Sequence, residues 1–311
     1  MLASVQTNPN FGVVTNLIQV WMISITKTPH SEVNHLPWFA AFIAIVLLSF
    51  GHLRALYGNT AALFCCAAVA SLPLLHTHAA LAGYADIWVT LFFVASIAVS
   101  CRVTLLQKRA YLIVLLLSLV LCMLTKRAGL AVALALGVVL FGCFAWETLA
   151  KKSLLMLVSS AIVISGGFLA ALLGFYSLDW NIPGLGQFQV STSGFGVENL
   201  FYYNLKPAPF EAEAYFDALL TFDNWHLATP LFLASLALIA TQPRLAHGER
   251  IPILAVIATL LVLVVYFTFI ASGSATLHTG LDRSLLYVMP SAITVSTAIL
   301  CKSLIASFVK T

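Results

Sequence analysis

Four residues within Pro73–Asp86, in the stretch PLLHTHAALAGYAD, could do chemistry: His76, His78, Tyr84 and Asp86. The stretch lies between two apolar runs, Thr60–Leu75 and Ile87–Ser100. An ionisable group beside long apolar runs is costly to hold and points to a functional role. His78, Ala82 and Asp86 are spaced i, i+4 and i+8, so a helix through them carries both polar groups on one face, with Asp86 about 12 Å beyond His78. A carboxylate there could order a hydroxyl, pair with a cation or help to place a metal. If the helix instead begins near Gly83, Asp86 is a first-turn acid favoured by the helix dipole. His76 and His78, at i and i+2, do not share a helix face, which argues against joint metal ligation.

Two other stretches offer cations. Thr125–Gly129 reads TKRAG and follows the apolar run Tyr111–Leu124. That run is about 21 Å of helix against a hydrocarbon core of about 30 Å, so Lys126 and Arg127 fall near the level of lipid headgroups. An adjacent ammonium and guanidinium suit a phosphate or diphosphate; they equally suit snorkelling to ordinary anionic lipids. His278–Ser284 reads HTGLDRS. Arg283 could bind a phosphate there, or pair with an acid such as Asp86 while Asp282 caps the following helix.

Apolar helices must position these groups. Of 311 residues 61% are hydrophobic and 8% charged, and the mean hydropathy is +1.01. Soluble proteins carry roughly 25% charged residues, so a water-facing surface cannot be built from this chain. The reading is an all-α, polytopic transmembrane bundle forming a single membrane-embedded domain over 1–311. Phe11–Thr26 is a short, more polar segment suited to an interface or a partial span. Clear spans follow at Leu36–Leu53, Thr60–Leu75, Ala79–Cys101, Tyr111–Leu124, Ala128–Leu149 and Ser153–Phe175. After an outer polar loop at 176–225 come His226–Ala240, Ile251–Ala271 and Ser284–Ser307. The total is about nine spans.

Charge orients them. With Arg54 inside and the chain alternating, Arg102, Lys108, Arg109, Lys151, Lys152, Arg244, Arg250, Lys302 and Lys310 also fall inside, as the positive-inside trend requires. Among the acids only Glu147 and Glu249 do so. Lys126, Arg127 and Arg283 fall outside against the trend, on the same side as Asp86. The net charge of +4 follows this topology and gives no reason to invoke nucleic acid. The six cysteines sit in or beside apolar runs without metal-ligand spacing. The outer loop contains GLGQFQVSTSGFGVENLFYYN, in which aromatic and amide groups suit either sugars or a membrane interface. GLGQFQ is no phosphate loop, because no GK[ST] follows it.

At PLLHTHAALAGYAD, TKRAGLAVALAL and LDRSLLYVMP the chain resembles bacterial integral-membrane glycosyltransferases of the GT-C class. These include the dolichyl-phosphate-mannose–protein mannosyltransferase-like and aminoarabinose-transferase-like proteins. The resemblance covers roughly Asn8 to Leu300. It implies transfer of a sugar from a polyprenyl-phosphate donor to a lipid, glycan or protein, outside the bacterial plasma (inner) membrane. A divalent metal is used by some members and not by others. Carried onto this chain, it assigns Asp86 a catalytic role and gives Lys126, Arg127, Arg283, His78 and Tyr84 to the substrate and its lipid phosphate.

The chain also departs from the pattern. Relatives often carry an HPDYP-like stretch before LLQAW, where NPNFGVVTNLIQVW here has Asn8, Asn10 and Gly12, and no acid precedes Glu32. Ala128 stands where relatives often carry an acid. The expectation is a chain that begins inside the first outer loop without the first helix and its acid, as a piece or as a degenerate relative. Two other functions compete: a transporter or flippase of lipid-linked intermediates, against which no pseudo-symmetric halves are evident, and a non-catalytic membrane scaffold.

Overall fold

The protein is described by a computed structural model covering residues 13–28, 32–81, 83–106, 109–148, 177–184, 186–197, 201–204, 212–221, 224–225, 227–241, 247–269 and 280–308. It is mostly helical. The long helices are α1 (Val13–Thr26), α2 (Leu36–Ala70), α4 (Asp86–Leu106), α5 (Arg109–Thr125), α6 (Arg127–Thr148), α8 (Ala228–Thr241), α9 (His247–Phe269) and α11 (Met289–Phe308). Three short helices sit between them: α3 (Pro73–Ala80), α7 (Ala212–Phe216) and α10 (Gly280–Leu285).

Helix α4 is the axis of the bundle. It packs against α2, α5 and α9 and also touches α6 and α11. Its sequence is apolar on every side, and Ile87, Val89, Phe93, Val94, Ile97 and Cys101 are all buried. Helix α11 lies against α2 and α8, and α9 against α6. The outward faces are apolar too: Ile113, Leu116 and Leu117 on α5, Leu134, Val138 and Phe141 on α6, and Leu261 and Val265 on α9 are exposed. Two helical stretches, 32–70 and 250–268, are long and apolar enough to cross a membrane, and five shorter apolar helices accompany them.

The expected break between Leu36–Leu53 and Thr60–Leu75 is present: the range given as α2 is two helices joined across a kink at Gly58, where φ is 84° and ψ −176°. The helices differ from the sequence expectation in two places. The expected span Ala79–Cys101 is two pieces, because α3 ends at Ala80 and α4 begins at Asp86. The last span is likewise split: α10 ends at Leu285 and α11 starts at Met289. Short polar or glycine-bearing breaks inside apolar runs do not change hydropathy enough to be seen. The expected span Ser153–Phe175 lies outside the described residues.

The segment expected as a polar loop adds a small sheet to the all-α expectation. Strands β1 (Leu178–Ile182), β2 (Gly186–Ser191), β3 (Gly194–Val197) and β4 (Phe201–Asn204) form an antiparallel meander in chain order. Trp180 pairs with Phe188 and Phe195 with Tyr203. The alternating aromatic and amide residues of GQFQV are a strand pattern, whereas the sequence reading took them only as composition.

Candidate functional site

The centre of the site is Asp86, the first residue of the axial helix α4. It is fully buried. The turn before it is forced by Gly83, whose φ of 102° favours glycine. The start of α2 holds that turn at both ends. The Trp38 indole N–H donates to the Tyr84 carbonyl at 2.8 Å, and His35 Nδ1 lies 2.8 Å from the Ala80 carbonyl.

Lys126 reaches Asp86 from a helical hairpin. It is the one residue between α5 and α6, and its carbonyl accepts the Leu130 N–H of α6. Gly129 makes the hairpin this tight. A Cβ there would lie 2.2 Å from the Cys122 carbonyl oxygen. With no side chain in the way, the first turn of α6 rests on the last turn of α5 and fixes Lys126 at the tip. Arg283 comes from α10. Tyr287 comes from the turn between α10 and α11, tied by the Tyr287 N–H to the Ser284 carbonyl.

These groups occupy both carboxylate oxygens. Asp86 Oδ1 accepts Lys126 Nζ at 2.6 Å and the Tyr287 hydroxyl at 2.5 Å. Oδ2 accepts Arg283 Nη2 at 2.5 Å and Nε at 3.2 Å. Lys126 also donates to the Tyr287 hydroxyl at 3.2 Å. The Arg283 guanidinium lies over the Tyr84 ring, 4.5 Å from its centroid, a cation–π contact. His78 stands edge-on to the same ring at 5.3 Å. Its Nδ1 is 3.9 Å from Asp86 Oδ2 and has no hydrogen-bond partner. Burial pushes the His78 imidazole down to about 4; Asp86 opposes this, and Arg283 and Lys126 add to it.

The exposures are asymmetric. The side chain of Asp86 is 0% exposed, that of Lys126 18% and that of Arg283 32%. Two cations and one carboxylate leave one positive charge in excess, and only the cations have an open side. Among the described residues Lys126 Nζ makes two hydrogen bonds and Arg283 Nη1 makes none. Such a cluster can receive an anion with several oxygen acceptors. It does not suit a divalent metal. Both oxygens of Asp86 already face cations or a hydroxyl, and among the described residues no three His, Cys, Asp or Glu side chains lie together.

Asp86, Lys126, Arg283, His78 and Tyr84, named from the sequence, therefore meet at one point. The side chain of Arg127 lies outside the described residues. Of the two arrangements the sequence left open, the one with His78 and Asp86 on one continuous helix is overturned, and Asp86 stands instead in the first turn of α4. They sit on separate helices, and the turn at Gly83 folds one back towards the other. Asp282 is the buried third residue of α10, inside a helix and not the residue before one. His76 points away, with its ring on Phe42 and Nε2 against the Ala70 carbonyl. Tyr287 and Trp38 were missed. Tyr287 follows Arg283 by four residues, one helical turn, and that spacing could have found it; no sequence signal marks Trp38. Comparison of the chain with protein-family models, curated proteins and solved structures finds no match.

Proposed function

We propose that this chain is a polytopic membrane protein of about nine spans that grips the phosphate of a polyprenyl-linked sugar at Lys126 and Arg283, on the outer side of the membrane, and serves sugar transfer of the GT-C kind. The carrying observation is the pair of half-open cations held together by one sealed carboxylate. A phosphodiester brings one negative charge, which balances the single positive charge in excess at the cluster. Balanced charge matters at headgroup depth, where an uncompensated ion is expensive.

In this reading Asp86 is a positioning residue. Its lone pairs are engaged by Lys126, Arg283 and Tyr287, so it holds the cations apart and aimed, and takes no proton from an acceptor. That same saturation favours a second reading, a carrier of lipid-linked sugars, which needs the grip and no base. The test is incubation of membranes containing the protein with a radiolabelled polyprenyl-phosphate sugar and an extract of envelope acceptors. Labelled covalent product is expected, with loss in Lys126→Ala and Arg283→Ala. Product retained in both variants overturns the site. Label moved across vesicles without product establishes the carrier.

A further inference from the structure

We propose that His78 is a reserve hydrogen-bond donor for Asp86, taking the place of Arg283 on Oδ2 when Arg283 turns to a bound phosphate. The inference rests on the phosphate reading above and adds a positioning residue to it.

The geometry carries the argument. Among the described residues Oδ2 of Asp86 is hydrogen-bonded by Arg283 alone, through Nε and Nη2. If Arg283 commits these N–H groups to a ligand, a fully buried carboxylate oxygen loses that partner. An unsatisfied buried charge is costly enough to oppose binding. Among the described residues the other polar atom poised for Oδ2 is His78 Nδ1, at 3.9 Å. That atom is buried and has no partner, itself an unfavourable condition. A move of about 1 Å by the ring makes a hydrogen bond of ordinary length and removes both penalties together.

Three features make the exchange workable. The His78 ring is neutral, and in the Nδ1–H tautomer it can donate with no proton taken up. It sits at the end of the short helix α3, which is separate from α4 and joined to it by the turn at Gly83, so it can shift without moving Asp86. The Tyr84 ring touches both donors, Arg283 over its face and His78 in a T-shaped contact, so the two are held beside Asp86 by one common ring. The other charged or titratable groups around His78 are Asp86 and Lys126, and Lys126 is already engaged with Oδ1.

The test is the affinity of the full chain, in detergent or nanodiscs, for a short-chain prenyl phosphate. His78→Leu removes the donor and His78→Asn restores one at nearly the same place. The expected result is about tenfold weaker binding for His78→Leu, as for loss of a hydrogen bond to a charge, and binding within about threefold of the parent for His78→Asn. Equal weakening in both variants, or none in either, overturns the inference while leaving the phosphate reading intact. Failure of the unsubstituted protein to bind overturns both. Should His78→Leu not fold, ring-¹⁵N histidine spectra of the unsubstituted protein decide. The His78 Nδ1 signal, assigned by its loss in His78→Asn, must shift to a hydrogen-bonded value on adding the prenyl phosphate; an unmoved signal overturns the exchange.

Discussion

Replacing Asp86 by Asn keeps the shape and removes the charge that binds the cluster. At 2.6 Å from Lys126 and 2.5 Å from Arg283, with an effective dielectric constant near 20, each pair is worth about 6 kcal/mol of gross attraction. Most of that is offset by burying the carboxylate, and breaking a buried pair typically costs a net 3–5 kcal/mol. Lys126 and Arg283 keep an open side and can take water when the carboxylate is lost, which selects the lower end, about 3 kcal/mol. For a chain of this size that is a fall of roughly 6 °C or more in the unfolding midpoint. The assay is thermal unfolding in detergent of Asp86→Asn, Lys126→Met and the double variant. Lys126→Met alone should cost about 1–2 kcal/mol, since Arg283 and Tyr287 still serve Asp86. The double variant should cost at least about 1 kcal/mol less than the sum, because removing the carboxylate also removes the reason to keep the lysine. The deficit of Asp86→Asn should survive about 0.5 M salt, since buried pairs are little screened. A loss below about 1 kcal/mol, or singles that simply add, refutes the account of Asp86 as organiser.

Gly129→Ala forces a methyl to within 2.2 Å of the Cys122 carbonyl oxygen, so it should open the hairpin and cost about 1–3 kcal/mol, read as a lower unfolding midpoint together with weaker prenyl phosphate binding. Tyr287→Phe removes a donor to Asp86 and an acceptor from Lys126 and should cost about 1–3 kcal/mol, whereas Tyr111→Phe, far along α5, should be silent in the same melt. His78 is held neutral by burial, with its folded value near 4 against an ordinary value of 6.5. The unfolded chain therefore binds the extra proton between those values, and stability is fully present above pH 6.5 and lost as pH falls towards 4. The span is up to about 3 kcal/mol, and His78→Asn should flatten that limb of the stability–pH curve.

The cluster was legible in the sequence because its members break rules that the rest of the chain obeys. In the topology expected from the sequence, Lys126 and Arg283 are cations on the side where cations are scarce, and Asp86 is an acid at the mouth of an apolar run. Such residues stay only where something compensates them, and three uncompensated residues expected on one face can compensate one another. The logic needs only the expected sidedness, so it located the meeting of Asp86, Lys126 and Arg283 although it left open whether His78 and Asp86 share one helix. The backbone was less legible for the converse reason. Within an apolar run, hydropathy is indifferent to whether the chain continues or breaks, so the gaps at 81–85 and 286–288 left no trace in it, whereas the kink at Gly58 falls where the hydropathy itself drops. Tyr287 and Trp38 were hidden by the same indifference: each is an aromatic among apolar neighbours, and its one polar atom acquires meaning only when a carboxylate or a carbonyl is folded against it. The two kinds of signal therefore have different reach. A misplaced charge announces a site before the fold is known, and the neutral donors that complete the site appear only once the turn at Gly83 and the hairpin at Gly129 have brought the chain together.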